Sequence, residues 1–138
     1  MAKKLPSTKE QKEIELTQRK LEKIKMKCSR RRNAMLWWDF QNAYDCLMFL
    51  KTKGVSYGKA QEKLAEILDI SKGQAGKMQA LENKALAKIK EAIGNGEISI
   101  NTAFVFTVKL DTATQQRVIA ETPISEITIS LVEQIANG

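Results

Sequence analysis

From Lys9 to Ile93 the apolar residues recur at intervals of three and four, the spacing that lays one stripe along an α-helix. That pattern commits most of the chain to amphipathic helices and leaves open mainly where they are cut. Thr8 is a candidate N-cap, with Gln11 three residues on. No breaker follows until about Arg32. Within that stretch Ile14, Leu21, Ile24 and Cys28 keep a heptad-like spacing, with Thr17 in the remaining seam position. Two heptads are short for a coiled coil, so the seam either packs on the rest of the chain or orders on binding. Asn33 to Lys53 is the most apolar segment. Met35, Leu36, Trp38, Ala43, Leu47 and Leu50 hold helical spacing, with Phe40, Tyr44, Met48 and Phe49 beside them. This is the expected core helix, and Trp37 and Trp38 read as core in preference to a base-stacking pair. Lys51-Thr52-Lys53-Gly54 closes it with cations at the negative end and a glycine cap.

Ser56 is expected to cap a helix from Tyr57 to Leu68, buried through Ala60, Leu64, Ala65, Ile67 and Leu68. Asp69-Ile70 makes a tight turn, and Ser71 caps the next helix, Lys72 to about Leu81. Asn83 to Ile93 reads as one further helix, buried through Leu86, Ile89 and Ile93, before Gly94-Asn95-Gly96 breaks it. Ile98, Ile100, Thr102, Val105, Thr107 and Val108 make the next stretch β-branched, so locally it admits strand or helix. Asp111 or Thr112 caps a short helix to Ala120, and Thr122-Pro123 opens a last element ending near Ala136, with Pro123 suited to a first turn. The expectation is an all-helical body of six or seven helices behind the basic N-terminal arm.

Charge and composition narrow the function. The chain has no histidine, so the commonest general base and metal ligand is missing. Cys28 and Cys46, its only cysteines, are far apart and read as free thiols, and they cannot make a four-ligand zinc site alone. No Walker loop or GxGxxG run occurs. An enzyme is not expected, nor any cofactor or metal. No apolar run has transmembrane length and no signal-peptide stretch follows Met1, so a cytoplasmic protein without a membrane partner is expected. The net charge of +7 is unevenly placed. Residues 1–32 hold twelve Lys/Arg against four Glu, whereas residues 33–138 hold eleven against twelve Asp/Glu. The basic stretch ends in Arg30-Arg31-Arg32, and arginine suits phosphate contact.

Gln61 to Leu81 carries the pattern of a repressor-type helix-turn-helix, whose small and apolar positions follow from how its two helices cross. Ala65 is the small residue at the crossing; Leu64, Leu68, Ile70, Ala75 and Met78 face inward. Asp69 takes the left-handed turn position where glycine is usual. The outward side of the second helix presents Ser71, Lys72, Gly73, Gln74, Gly76 and Lys77. Two glycines inside a helix cost roughly 1 kcal/mol each against alanine. They make sense where the backbone must approach another surface closely, as in a major groove. Gln74 can pair with adenine, Lys72 and Lys77 with guanine or phosphate. Lys59 in the preceding helix completes the DNA-binding candidates, together with Arg30, Arg31 and Arg32.

Val55-Ser56-Tyr57 through Lys63-Leu64-Ala65, then Leu68-Asp69-Ile70-Ser71-Lys72, resembles the helix-turn-helix of the ParB/KorB family of partition proteins. Leu81 through Ile93 is similar to that family's linker helix, and Gly96-Glu97-Ile98-Ser99-Ile100-Asn101-Thr102-Ala103 to its downstream junction. The resemblance covers about residues 40–121. It implies that the segment after the junction is helical and that Ser71, Lys72, Gly73, Gln74 and Lys77 meet DNA. The family's N-terminal nucleotide-binding, clamp-forming domain has no counterpart in the basic residues ahead, so its CTP-driven clamp is not carried over. The chain reads as a fragment or as a short mobile-element regulator that keeps only the DNA-reading module.

The expected fold is therefore all-α: a basic N-terminal helical arm over residues 1–32, a multi-helix domain with a helix-turn-helix over 33–121, and a C-terminal helix over 122–138. The expected function is sequence-specific binding of double-stranded DNA, as a mobile-element regulator or partition-type adaptor, with a homodimer as a further expectation. The rival is a phage-type protein-interaction module that reuses the fold to block a host nucleoprotein complex.

Overall fold

The apolar stripes resolve into eight α-helices among the described residues, 8–26 and 33–138 of a computed structural model. In chain order they are α1 (Thr8–Met26), α2 (Asn33–Thr52), α3 (Ala60–Leu68), α4 (Lys72–Lys84), α5 (Ala87–Gly94), α6 (Ile100–Lys109), α7 (Thr112–Glu121) and α8 (Ile129–Asn137), with a 3-10 turn at Ile124–Glu126 before the last. No strand occurs among these residues.

The segment richest in apolar residues is the centre. On α2, Leu36, Trp37, Phe40, Ala43, Leu47 and Leu50 are buried, and α1, α3 and α5 pack around it. Trp37 stacks on Phe40 with ring centroids 5.3 Å apart, and Phe40 on Tyr44 at 5.7 Å. Each fully buried side chain of this kind stabilises by about 1.5–3 kcal/mol. A second group forms on α6, where Ile100, Ala103 and Phe106 are buried between α4 and α8. The α3–α4 pair bridges the two groups.

Helix starts follow their caps. Ser71, Ser99, Asp111 and Thr128 each accept a hydrogen bond from the backbone N–H three residues on. Ser99 decides the β-branched stretch: once it closes the first turn, Ile100, Ala103 and Phe106 fall on one helical face, and the strand option is overturned. Asp111 carries its cap with a carboxyl held below the usual carboxylate range by hydrogen bonds from Thr114, side chain first and backbone second.

Several expectations are corrected. One open alternative is decided, not corrected: Leu21 and Ile24 are buried where α1 meets α2 and α3, so the lower half of the expected seam packs on the rest of the chain. Cys28 and Arg30, Arg31 and Arg32 lie outside the described residues. Ser56 does not cap a helix: its Oγ accepts from Gly58 N at 3.4 Å, Gly58 takes φ +83°, and α3 starts only at Ala60. The single helix expected over Asn83–Ile93 is cut at Ala85 and Leu86, both extended, and Lys90 Nζ crosses the break to the Glu82 carbonyl at 3.2 Å. The cut moves the boundary between two expected helices and adds none: residues 33–138 hold seven helices, α2 to α8, within the expected six or seven. Pro123 precedes the 3-10 turn and does not sit in a helix's first turn; Thr128 starts α8. Trp38 is not core. It is 58% exposed, and its indole Nε1 lies so close over Gly94 that a Cβ there would stand 2.8 Å away.

Candidate nucleic-acid interface

The α3–α4 pair is closed by a turn that uses backbone geometry where glycine would be usual. Asp69 adopts φ 56° and ψ 52°. Its N–H reaches the Glu66 carbonyl at 3.4 Å and the Ile70 N–H reaches Ala65 at 3.0 Å, the hydrogen-bond pair of a Schellman turn. Aspartate tolerates this region better than most side chains. Ser71 then returns to extended backbone, and its Oγ accepts from Gln74 N at 3.0 Å, starting α4. Leu64, Ala65, Ile67 and Leu68 of α3 and Ala75, Met78 and Leu81 of α4 are buried, with Ile70 partly so. The inward positions expected from the sequence are thus inward.

The first turns of the two helices lie side by side. Gln61 Nε2 donates to the Lys72 carbonyl at 2.8 Å, and Lys72 Nζ stands 3.3 Å from Glu62 Oε1. Both ends of that ion pair are largely in solvent, so it steers the Lys72 side chain and adds little stability. Ser71, Lys72 and Gly73 are exposed at the start of α4, and Lys59 is exposed in the extended residue just ahead of α3. These four open on the side where the two helices begin.

The remaining candidates divide. Gln74 is half-buried, one residue before the inward Ala75, so it lies on the flank of α4. Lys77 is also half-buried, and its ammonium lies over the Phe104 ring of α6, 5.5 Å from the centroid. Gly73 faces open space: the nearest atom to a Cβ placed there is Ser71 Oγ at 3.9 Å. Gly76 does not. A Cβ at that position would meet Gln61 Nε2 at 2.9 Å and Cδ at 3.4 Å. The two glycines therefore differ: Gly76 lies against a side chain of the neighbouring helix, and Gly73 does not. Arg30, Arg31 and Arg32 lie outside the described residues.

Sequence reasoning missed Gln61, Glu62 and Phe104 as neighbours of this face. All three contacts cross between helices, and only the outward glycine in the helix after Gln61 hints at any of them.

Behind the pair, α1 is tied to α3. Lys25 Nζ is 3.1 Å from Glu66 Oε1, and Lys63 Nζ is 3.5 Å from Oε2. The hydrogen bond from Lys25, with Lys63 close by, holds the Glu66 carboxyl below its usual range. Lys63 also lies over the Tyr57 ring at 4.9 Å, and Tyr57 Oη accepts from Gln18 Nε2 of α1 at 3.2 Å. The backing of α3 is thus polar and shared with α1. A thiol also sits in the body: burial pushes the buried Cys46 up, against the pull of Lys20. Among the described residues, no group of three or more metal-ligating side chains could hold an ion, and no helix is long and apolar enough to cross a membrane.

Comparison with protein-family models, with curated proteins and with solved structures finds no match to this chain.

Proposed function

We propose that the chain binds double-stranded DNA through α3 and α4 used as a helix-turn-helix, with the first turn of α4 entering the major groove. The observation that carries the reading is the exposed, cap-initiated start of α4 after a left-handed Asp69 turn, with Lys72 and an unobstructed Gly73 outermost. A glycine in the first turn of a helix, with no other helix against it, lets the backbone come close to another surface. Lys72 then reads guanine or phosphate, Gln74 a base edge from the flank, and Lys59 and Ser71 hold phosphate. Lys77 serves from behind Phe104. Arg30, Arg31 and Arg32 supply further phosphate contacts, so the sequence-unspecific part of binding comes from the basic N-terminal region. The biological role that fits is a mobile-element regulator or partition-type adaptor, resembling the ParB/KorB family in its DNA-reading module and working as a dimer.

A mobility-shift titration on a pool of random duplex DNA at two salt concentrations tests this reading. Binding should fall steeply with salt. Replacing Arg30, Arg31 and Arg32 with glutamine should flatten the dependence by about 0.9 log units per lost phosphate contact. Absence of a shift at low salt removes the reading.

A protein-interaction module is the second reading, and one observation favours it. Met35 and Trp38 are exposed one turn apart on α2, large apolar side chains of the kind that anchor protein interfaces, on a body whose charges nearly balance. Its partner would be a host nucleoprotein complex.

A further inference from the structure

Gly76 sits in the middle of a helix on a side that does not belong to the core, where alanine would favour the helix. Helix propensity alone puts that preference at about fivefold in the folding equilibrium. A side chain from the other helix occupies the space beside it. Gln61, in the first turn of α3, lies across α4 so closely that its Nε2 would be 2.9 Å from any Cβ at residue 76. From that place the same Nε2 donates to the carbonyl of Lys72 at 2.8 Å. Lys72 is the first residue of α4, and its carbonyl sits one residue after the Ser71 cap. The amide therefore grips the turn that carries Lys72 and Gly73 from a place so near residue 76 that a Cβ there would make the end of the Gln61 side chain shift.

We infer that Gln61 is a positioning residue for the groove-facing turn of α4, and that Gly76 is its seat and makes no contact with DNA itself. The inference rests on the DNA reading above. The hydrogen bond is exposed, so it contributes little to global stability. Its effect is local: α3, packed on α2 and α1, holds the backbone of the first α4 turn in one place. Glu62 acts on the same turn from the neighbouring position by pairing with the Lys72 ammonium. One residue thus fixes the backbone and the next steers the side chain.

A double-substitution cycle tests this. Gln61→Ala removes the grip; Gly76→Ala pushes the amide out of its seat; the double variant does both. Binding is read by fluorescence anisotropy on a labelled duplex selected from a random pool, and stability by urea unfolding of the full chain. If one interaction is being broken in both cases, the single variants lose affinity by the same factor, on the order of tenfold for about one hydrogen bond's free energy. The double variant then loses no more than either. In unfolding, Gly76→Ala should stabilise by up to about fivefold in the Gln61→Ala background, where the added methyl meets nothing, and by somewhat less in the wild type, where it displaces the amide. If Gly76→Ala weakens binding while Gln61→Ala does not, Gly76 touches DNA directly and the inference is wrong. Losses that multiply in the double variant also overturn it.

Amide hydrogen exchange separates this from failure of the DNA reading. Gln61→Ala should speed exchange in residues 72–76 with little change in α2. If the wild type does not bind DNA but that local loosening is seen, the grip stands and the DNA role falls. If exchange is unchanged, the grip itself is refuted whatever the binding result.

Discussion

Two corners of this chain are each held by one glutamine, and they use it in opposite ways. Between α6 and α7, Gln115 reaches back to the carbonyls of Thr107 and Leu110 at 3.1 and 2.8 Å and is only 4% exposed. Between α3 and α4, Gln61 reaches forward to Lys72 at 2.8 Å and stays in solvent. The first glutamine seals the end of a helix whose carbonyls would otherwise be buried without partners. The second leaves the helix it holds uncovered, with a lysine and a glycine outermost. A buried polar tie secures the fold, whereas an exposed one is informative because stability gives little reason to keep it.

The largest expected effect lies beneath the exposed corner. Leu64 is fully buried between α3 and its neighbours, and Leu64→Ala should cost about 2–5 kcal/mol in chemical unfolding. A much smaller loss would mean that the α3–α4 pair is only loosely attached to the rest. Next comes the contrast between the glutamines. Gln115→Ala strands two carbonyls and should cost about 1–3 kcal/mol while leaving DNA affinity at a folded temperature unchanged. Gln61→Ala should do the reverse, and equal stability losses at both sites would erase the distinction. Ser71→Ala removes the cap of α4 and should cost about 1 kcal/mol in thermal unfolding, with binding weakened through the same turn.

The smallest effect is electrostatic. Glu66 has its pKa lowered in the folded chain, by Lys25 first and Lys63 next. Its contribution is therefore present above the ordinary glutamate range and is lost as pH falls through the depressed folded value. A carboxyl chemical-shift titration should place the Glu66 midpoint low, and Lys25→Met should move it back up. An unmoved midpoint would mean that α1 is not tied to α3 by this pair.

Much of this arrangement is written locally. Ser71, Asp111 and the Gly94-Asn95-Gly96 break can be read from neighbouring residues, because caps and turns involve atoms three or four positions apart. Asp69 was legible as the turn residue because few side chains tolerate its backbone. What was not legible depends on distant partners. Nothing near Ala85 and Leu86 marks a helix end, and the cut accompanies a crossing made by Lys90 and the partial burial of Leu86 in the core. Trp38 carries the same apolar signature as Trp37, yet Trp37 is fully buried and Trp38 is exposed beside Gly94 of α5. Gly73 and Gly76 look alike in the chain, yet Gly76 lies under Gln61 and Gly73 faces solvent.

That last difference gives the most direct test. Gly73→Leu places its Cβ in no more than ordinary contact with Ser71 Oγ, at 3.9 Å, so circular dichroism and melting should show an intact fold, stabilised by up to about 1 kcal/mol. In mobility shift on duplex DNA the same variant should lose binding, because the leucine stands between the α4 backbone and the groove. A Gly73→Leu protein that folds and binds duplex DNA as tightly as the wild type would contradict the account.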